Sequence, residues 1–153
     1  MRQAGHNDFD HIMSLYRACA AQPNSCWDDE YPTEEIAMSD IRQGVLYLEE
    51  DYGAATLLEW DDLEDMGLGF EHTEKPCVLC RLCLHPSHQG KGEGKHLLAL
   101  AEEQARSLGY RSMHLLVDVE NKTAHRLYER AGYKRVNEAA LYGCVFDAME
   151  KRL

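Results

Sequence analysis

A mixed α/β fold is predicted by three features of the sequence: apolar runs of strand length, stretches whose apolar residues recur at helical spacing, and glycines or prolines that punctuate them. The 153 residues, 44% hydrophobic and 28% charged, describe one soluble domain over residues 1–153. Residues 2–4 form a short first strand. Asn7 or Asp8 caps a helix on which Ile12, Leu15, Tyr16 and Cys19 share a face, and which stops before Pro23. Thr33, with Glu34 and Glu35 behind it and Ile36 three residues on, starts a second helix that Gly44 ends. Strands over 45–48 and 54–60 pair through a turn at Asp51, Tyr52 and Gly53.

The acidic stretch 61–75 is the longest irregular segment, a length that in a compact domain points to function. Beyond it the order is strand (77–84), Gly-rich turn, helix (92–108, ended by Gly109), strand (113–117), helix (122–131, ended by Gly132), and strands over 133–136 and 141–149. The count is seven strands and four helices. No internal repeat or linker interrupts them.

Composition excludes several classes. A net charge of −11 argues against nucleic acid, which needs a concentrated basic face. No window approaches the roughly 18 to 20 apolar residues that span a bilayer, so no membrane partner is expected. The N-terminus lacks the pattern of a secretory signal, and a cytoplasmic location follows. The six cysteines are then read as reduced thiols filling apolar positions. Cys77, Cys80 and Cys83 have a metal-like C-x2-C-x2-C spacing, but no fourth Cys completes the set, and on a strand Cys80 points away from the other two. No metal is expected.

One short segment carries more information. In Gln89-Gly90-Lys91-Gly92-Glu93-Gly94-Lys95, alternate glycines permit close backbone approach just before a helix start, whose unpaired N–H groups and partial positive charge suit a phosphate or diphosphate. Lys91, Lys95 and three nearby histidines face a single acid, Glu93. A P-loop is excluded: Gly90 and Gly94 enclose three residues rather than four, and His96 follows Lys95 where Ser or Thr is required. The dinucleotide fingerprint also fails, since its third glycine would fall at Lys95.

Gln89-x-x-Gly92-x-Gly94 after a strand resembles the Q/R-x-x-G-x-G/A signature of the GCN5-related N-acetyltransferase (GNAT) superfamily. Asn121-Lys122-Thr123-Ala124-His125-Arg126-Leu127-Tyr128-Glu129-Arg130-Ala131-Gly132-Tyr133 is similar to that family's N-x-x-A-x-x-L-Y-E-x-x-G-F/Y segment. The resemblance covers essentially the whole chain. It implies a mixed, mostly antiparallel, splayed central sheet of six or seven strands with about four helices, and an enzyme moving the acetyl group of acetyl-CoA, its cosubstrate, to an amine. By position, the backbone of Leu82, Cys83 and Leu84 would meet the pantetheine arm, with one N–H polarising the acetyl carbonyl. Gln89, Gly90, Lys91, Gly92, Glu93, Gly94 and Lys95 would wrap the pyrophosphate, Asn121 and Ala124 would lie at the pantetheine region, and Tyr128 would protonate the departing thiolate.

The implied reaction is direct attack by a neutral primary amine, of a small molecule, a peptide N-terminus or a lysine, so Cys83 is not an acyl carrier. The chain departs from part of the family at Leu116, where some members carry an acid. The base is unassigned among Glu59, Glu71 and His85. An alternative from another class is a non-catalytic acyl-CoA-binding regulatory module. Trp27, Tyr31 and the acidic residues 61–65 are candidates for an acceptor site suited to a cation, and an exposed C-terminal strand edge is compatible with a homodimer.

Overall fold

Local signals in the sequence set most of the element boundaries. The computed structural model describes residues 1–23, 25–59, 66–141 and 143–153. In chain order these hold β1 (Arg2–Gln3), α1 (Phe9–Ala20), α2 (Glu34–Gln43), β2 (Leu46–Glu49), β3 (Gly53–Leu58), β4 (Pro76–Leu84), α3 (Glu93–Ser107), β5 (Ser112–Asp118), α4 (Lys122–Arg130), β6 (Lys134–Leu141) and β7 (Cys144–Arg152). Thr33 starts α2 by accepting the Ile36 N–H at 3.2 Å, and Gly44 stops it in the left-handed region at φ 70°. The start of α1 differs from expectation. The Asp8 carboxylate takes the Gly5 N–H at 2.8 Å and the Arg2 guanidinium at 2.6 and 2.7 Å, so it closes the 3-10 turn His6–Asp8 and makes no side-chain cap on α1.

The strands form one open sheet in the order β1-β2-β3-β4-β5-β7-β6. The β1–β2, β2–β3, β5–β7 and β6–β7 pairs are antiparallel, and β4–β5 is parallel over Pro76–Val78 against Ser112–His114. Two expectations are corrected. Leu141 closes β6 instead of opening β7, because the reversal comes at Gly143, φ 78°. A register shift between Arg135 and Asn137 breaks the alternation that marks a strand, which shortened the expected β6. The C-terminal strand is also no edge: β7 lies between β5 and β6, as its buried run Asp147, Ala148, Met149 and Glu150 requires, and β6 is outermost. The expected acidic loop lies outside the described residues over 61–65.

Two compact units divide the chain, with the breaks falling inside β3, inside β4 and inside α3. The first comprises 1–57 and 81–101. There Ile12, Leu15 and Tyr16 of α1 and Ala37 and Ile41 of α2 pack with Leu46 and Leu48 of β2 and Cys83 of β4. The same unit holds a buried ion pair. Arg81 donates from Nε to Asp40 Oδ2 at 2.8 Å and from Nη2 to Oδ1 at 3.0 Å, the side chains being 9% and 5% exposed. Thr56 Oγ1 donates to the same carboxylate at 3.0 Å. Burial pushes the Asp40 carboxyl above its ordinary value, and Arg81 and Thr56 pull against that; the two-pronged geometry is that of a charged pair.

The second unit comprises 58–80 and 102–153. Val78, Ala139 and Ala148 form its core with Leu68, and Cys80 packs at the margin. Glu150, buried, accepts the N–H groups of Glu71 and His72, each at 2.9 Å, while His114 stacks on Phe70 at 3.9 Å and meets the His72 carbonyl at 2.9 Å. This clamp fixes the irregular segment leading into β4.

Replacing Asp40 by Ala strands a buried guanidinium. Unfolding free energy should drop by about 3 to 5 kcal/mol, read from the urea midpoint at constant slope, and a drop under about 1 kcal/mol would remove the pair from the list of fold determinants.

Candidate functional site

In the first unit, the residues that the sequence singles out lie at the end of β4 and in the Gly-rich turn. After Leu84, His85 caps the 3-10 turn Pro86–His88, its Nδ1 contacting the Ser87 N–H at 3.3 Å and the Ser87 hydroxyl at 2.8 Å. His88 stacks on Tyr52 at 4.7 Å, and the His85 N–H donates to the Tyr52 carbonyl at 2.7 Å, so the β2–β3 turn braces the segment. Gln89 turns back to donate to the Leu84 carbonyl at 3.1 Å, an oxygen that also accepts the Cys19 thiol at 3.4 Å. The glutamine of the motif thus ties the turn to the strand it leaves.

Gly90 and Gly92 then take φ values of 75° and 89°, which disfavour any residue with a Cβ, and open space surrounds both. Gly94 is different: it lies within α3. The first backbone bonds of α3 run from the Lys95 and His96 N–H groups to the Gly92 carbonyl, at 3.1 and 3.3 Å. The N–H groups of Glu93 and Gly94 have no intrahelical acceptor, as at any helix start. Lys91 folds onto the Ser87 carbonyl at 2.7 Å, and Lys91 and Lys95 are exposed. Open space, free amides and two cations are what a diphosphate requires.

Leu82, Cys83 and Leu84 follow a backbone irregularity. Arg81 has φ 47° inside β4, a conformation costing a non-glycine residue on the order of 1 to 2 kcal/mol. Its guanidinium is held by Asp40, as above, and also donates to the Tyr31 hydroxyl at 3.3 Å. Burial pushes the Cys83 thiol well above its usual value, and neighbouring Cys19 adds to the effect, so Cys83 stays protonated. That is a poor nucleophile. Cys80 packs at the margin of the second unit's core, whereas Cys83 lies in the first's. Among the described residues no group of three or more His, Cys, Asp or Glu is placed to hold a metal ion.

In the second unit, the residues singled out lie on α4. Asn121 is its N-cap, its Oδ1 accepting the Ala124 N–H at 3.1 Å, so the N-x-x-A spacing is that of a capped helix start and leaves the amide nitrogen for other partners. His125 anchors the helix to Asp147 of β7 at 2.6 Å. Tyr128, three residues on, is buried and meets Tyr133 edge-to-face at 5.5 Å. Burial pushes its phenol far above the ordinary value, with Cys80 adding to it, so the hydroxyl keeps its proton. Of the suggested bases, Glu59 and Glu71 are exposed and the His85 Nδ1 is occupied by Ser87. Trp27 and Tyr31 form an edge-to-face chain with Tyr16, at 5.5 and 6.2 Å, whereas 61–65 lies outside the described residues.

A family profile described as "Acetyltransferase (GNAT) family" matches residues 9–133. The chain belongs to this family. The GNAT chain is 28% identical over 142 residues to the L-amino acid N-acyltransferase MnaT of Escherichia coli (strain K12), covering 87% of itself and 78% of that protein. It is 34% identical over 67 residues to the uncharacterized N-acetyltransferase YycN of Bacillus subtilis (strain 168), covering 44% of itself and 43% of that protein, so this match spans less than half of the relative. Its fold is similar to the structure of yncA, a putative acetyltransferase from Salmonella typhimurium with its cofactor acetyl-CoA, at TM-score 0.73 and 22% identity over 99% of this chain and 92% of that one. The family resemblance and the expected mixed sheet are therefore borne out.

Two residues that the sequence pattern did not single out, Asp40 and Arg81, emerge only with the fold. Among those it did, Asn121 has a measurable structural share. Asn121→Ala should cost about 1 kcal/mol in urea unfolding through loss of the cap, and Asn121→Asp, which keeps a capping oxygen, much less; equal losses would show the cap to be idle.

Proposed function

We propose that this GNAT chain transfers the acetyl group of acetyl-CoA to a primary amine by direct attack, without a covalent acyl-enzyme. One observation carries the reading: two left-handed glycines in open space immediately precede a helix whose first N–H groups lack acceptors. Acetyl-CoA, when bound, supplies an activated thioester. Gln89, Gly90, Lys91, Gly92, Glu93, Gly94 and Lys95 wrap its diphosphate; the Gln89 and Lys95 N–H groups serve the Pro86 and Gly92 carbonyls, so the amides between them do the cradling, helped by the cations of Lys91 and Lys95. The backbone of Leu82, Cys83 and Leu84 binds the pantetheine amides, and one N–H of this set polarises the acetyl carbonyl. Asn121 offers its amide nitrogen to the pantetheine, and Ala124, small, lets the arm approach α4.

Tyr128 is the general acid. Burial raises its phenol value, so the hydroxyl carries a proton that it can give to the departing thiolate. Cys83 takes no part as a nucleophile, because its thiol is held protonated. The amine must arrive neutral. With Glu59 and Glu71 exposed and His85 engaged, its proton leaves through water rather than to a dedicated base. The name of the Escherichia coli relative, an L-amino acid N-acyltransferase, favours a small amine over a protein acceptor.

Calorimetry with CoA and a thiol-release assay over an amine panel test the whole reading; no heat with CoA would end it. Tyr128→Phe should lower kcat by about 100-fold or more while the CoA Kd changes less than about twofold. Unchanged turnover would remove the acid role.

A further inference from the structure

We propose that Asp40 and Arg81 are positioning residues for acetyl transfer: their buried fork holds the left-handed backbone at Arg81 and so aims the main-chain amides of Leu82, Cys83 and Leu84 at the acetyl carbonyl. The inference rests on the acetyl-transfer reading above.

Among the described residues, three non-glycine residues have positive φ: Glu50, Lys75 and Arg81. Glu50 and Lys75 sit just outside strands, where chain direction changes. Arg81 alone lies inside a strand, so the needs of a turn do not account for it. Strained backbone of this kind persists where its surroundings over-determine it, and it concentrates at sites that use a fixed geometry.

The surroundings here are specific. Both carboxylate oxygens of Asp40 hold the guanidinium, at 2.8 and 3.0 Å; Thr56 fixes the carboxylate from β3 at 3.0 Å; and the Tyr31 hydroxyl takes a further guanidinium N–H at 3.3 Å. Four segments are therefore tied together through one ion pair: α2 with Asp40, β4 with Arg81, β3 with Thr56 on the carboxylate, and the loop carrying Tyr31 on the guanidinium. The guanidinium cannot turn without stranding buried charge. A buried pair by itself would not require a left-handed residue, since Arg in extended strand geometry pairs equally well. What the combination adds is a fixed orientation for the peptide that follows, and that peptide carries the Leu82 N–H. Relaxing Arg81 toward ordinary strand angles would swing this donor, and an oxyanion donor acts only within a narrow range of distance and direction.

The test uses Arg81→Lys, Arg81→Gly and Asp40→Asn in the full chain, with 1-13C-acetyl-CoA as probe. Bound to the unaltered chain, the labelled carbonyl should show an infrared stretch shifted to lower frequency. In Arg81→Gly and Asp40→Asn this shift should shrink and kcat should fall by about tenfold or more, while the CoA Kd, set by 89–95, moves less than about twofold. Arg81→Lys, which keeps the charge but not the fork, should lie between. Asp40→Asn combined with Arg81→Gly should match either of these two single variants in kcat within about twofold, because the pair acts as a unit. Glycine adopts φ 47° freely, so Arg81→Gly separates the fork from the strain if Asp40→Asn fails to fold. Normal kcat in any folded fork variant, an equal loss of CoA affinity, or an unshifted carbonyl in the unaltered chain would each overturn the positioning role. Absence of CoA binding by the unaltered chain would instead bring down the acetyl-transfer reading itself.

Discussion

Charge buried beneath β4 is the constraint from which the arrangement of the first unit follows. Taking a guanidinium and a carboxylate out of water costs several kcal/mol each unless their hydrogen-bonding capacity is met. Here the capacity is met by Asp40, Arg81, Thr56 and Tyr31 together, which requires α2, β3 and β4 to keep one mutual arrangement. The start of α2 at Thr33 and its stop at Gly44 then have a wider meaning: they set the register that places Asp40, Ala37 and Ile41 on the buried face.

A second constraint acts at the Gly-rich turn. The chain as a whole carries a charge of −11, so attraction of an anion has to come from local dipoles and from cations brought close in sequence. Backbone amides serve this better than side chains, since they are already fixed when the ligand arrives. The Tyr52–His88 stack and the Gln89 bond to Leu84 supply that fixation without occupying the amides. Glycine at positions 90 and 92 gives the turn its shape, and neighbouring side chains stop it from moving.

Much of this was legible in the letters. Thr33 and Gly44 announced α2, and Asn121 and Gly132 bracketed α4, because caps are short-range chemistry. The turn at 89–95 was readable for the same reason. Failures came where distant strands decide the outcome. The shift between Arg135 and Asn137 breaks the period of two in β6, and the interior place of β7 depends on β5, some thirty positions earlier in the chain. The Asp40–Arg81 fork falls between these cases. A lone arginine in the apolar run from Cys77 to Leu84 asks for a partner, and an aspartate amid the apolar face of α2 asks for another. Nothing in either segment says that each answers the other.

The cap made by Asn121 bears on what a matching pattern certifies. Its oxygen is spent on the Ala124 amide, so selection for a well-formed α4 alone would preserve both letters even in a descendant that had ceased to turn over substrate. Taken by themselves, the asparagine and alanine of this chain therefore vouch for architecture.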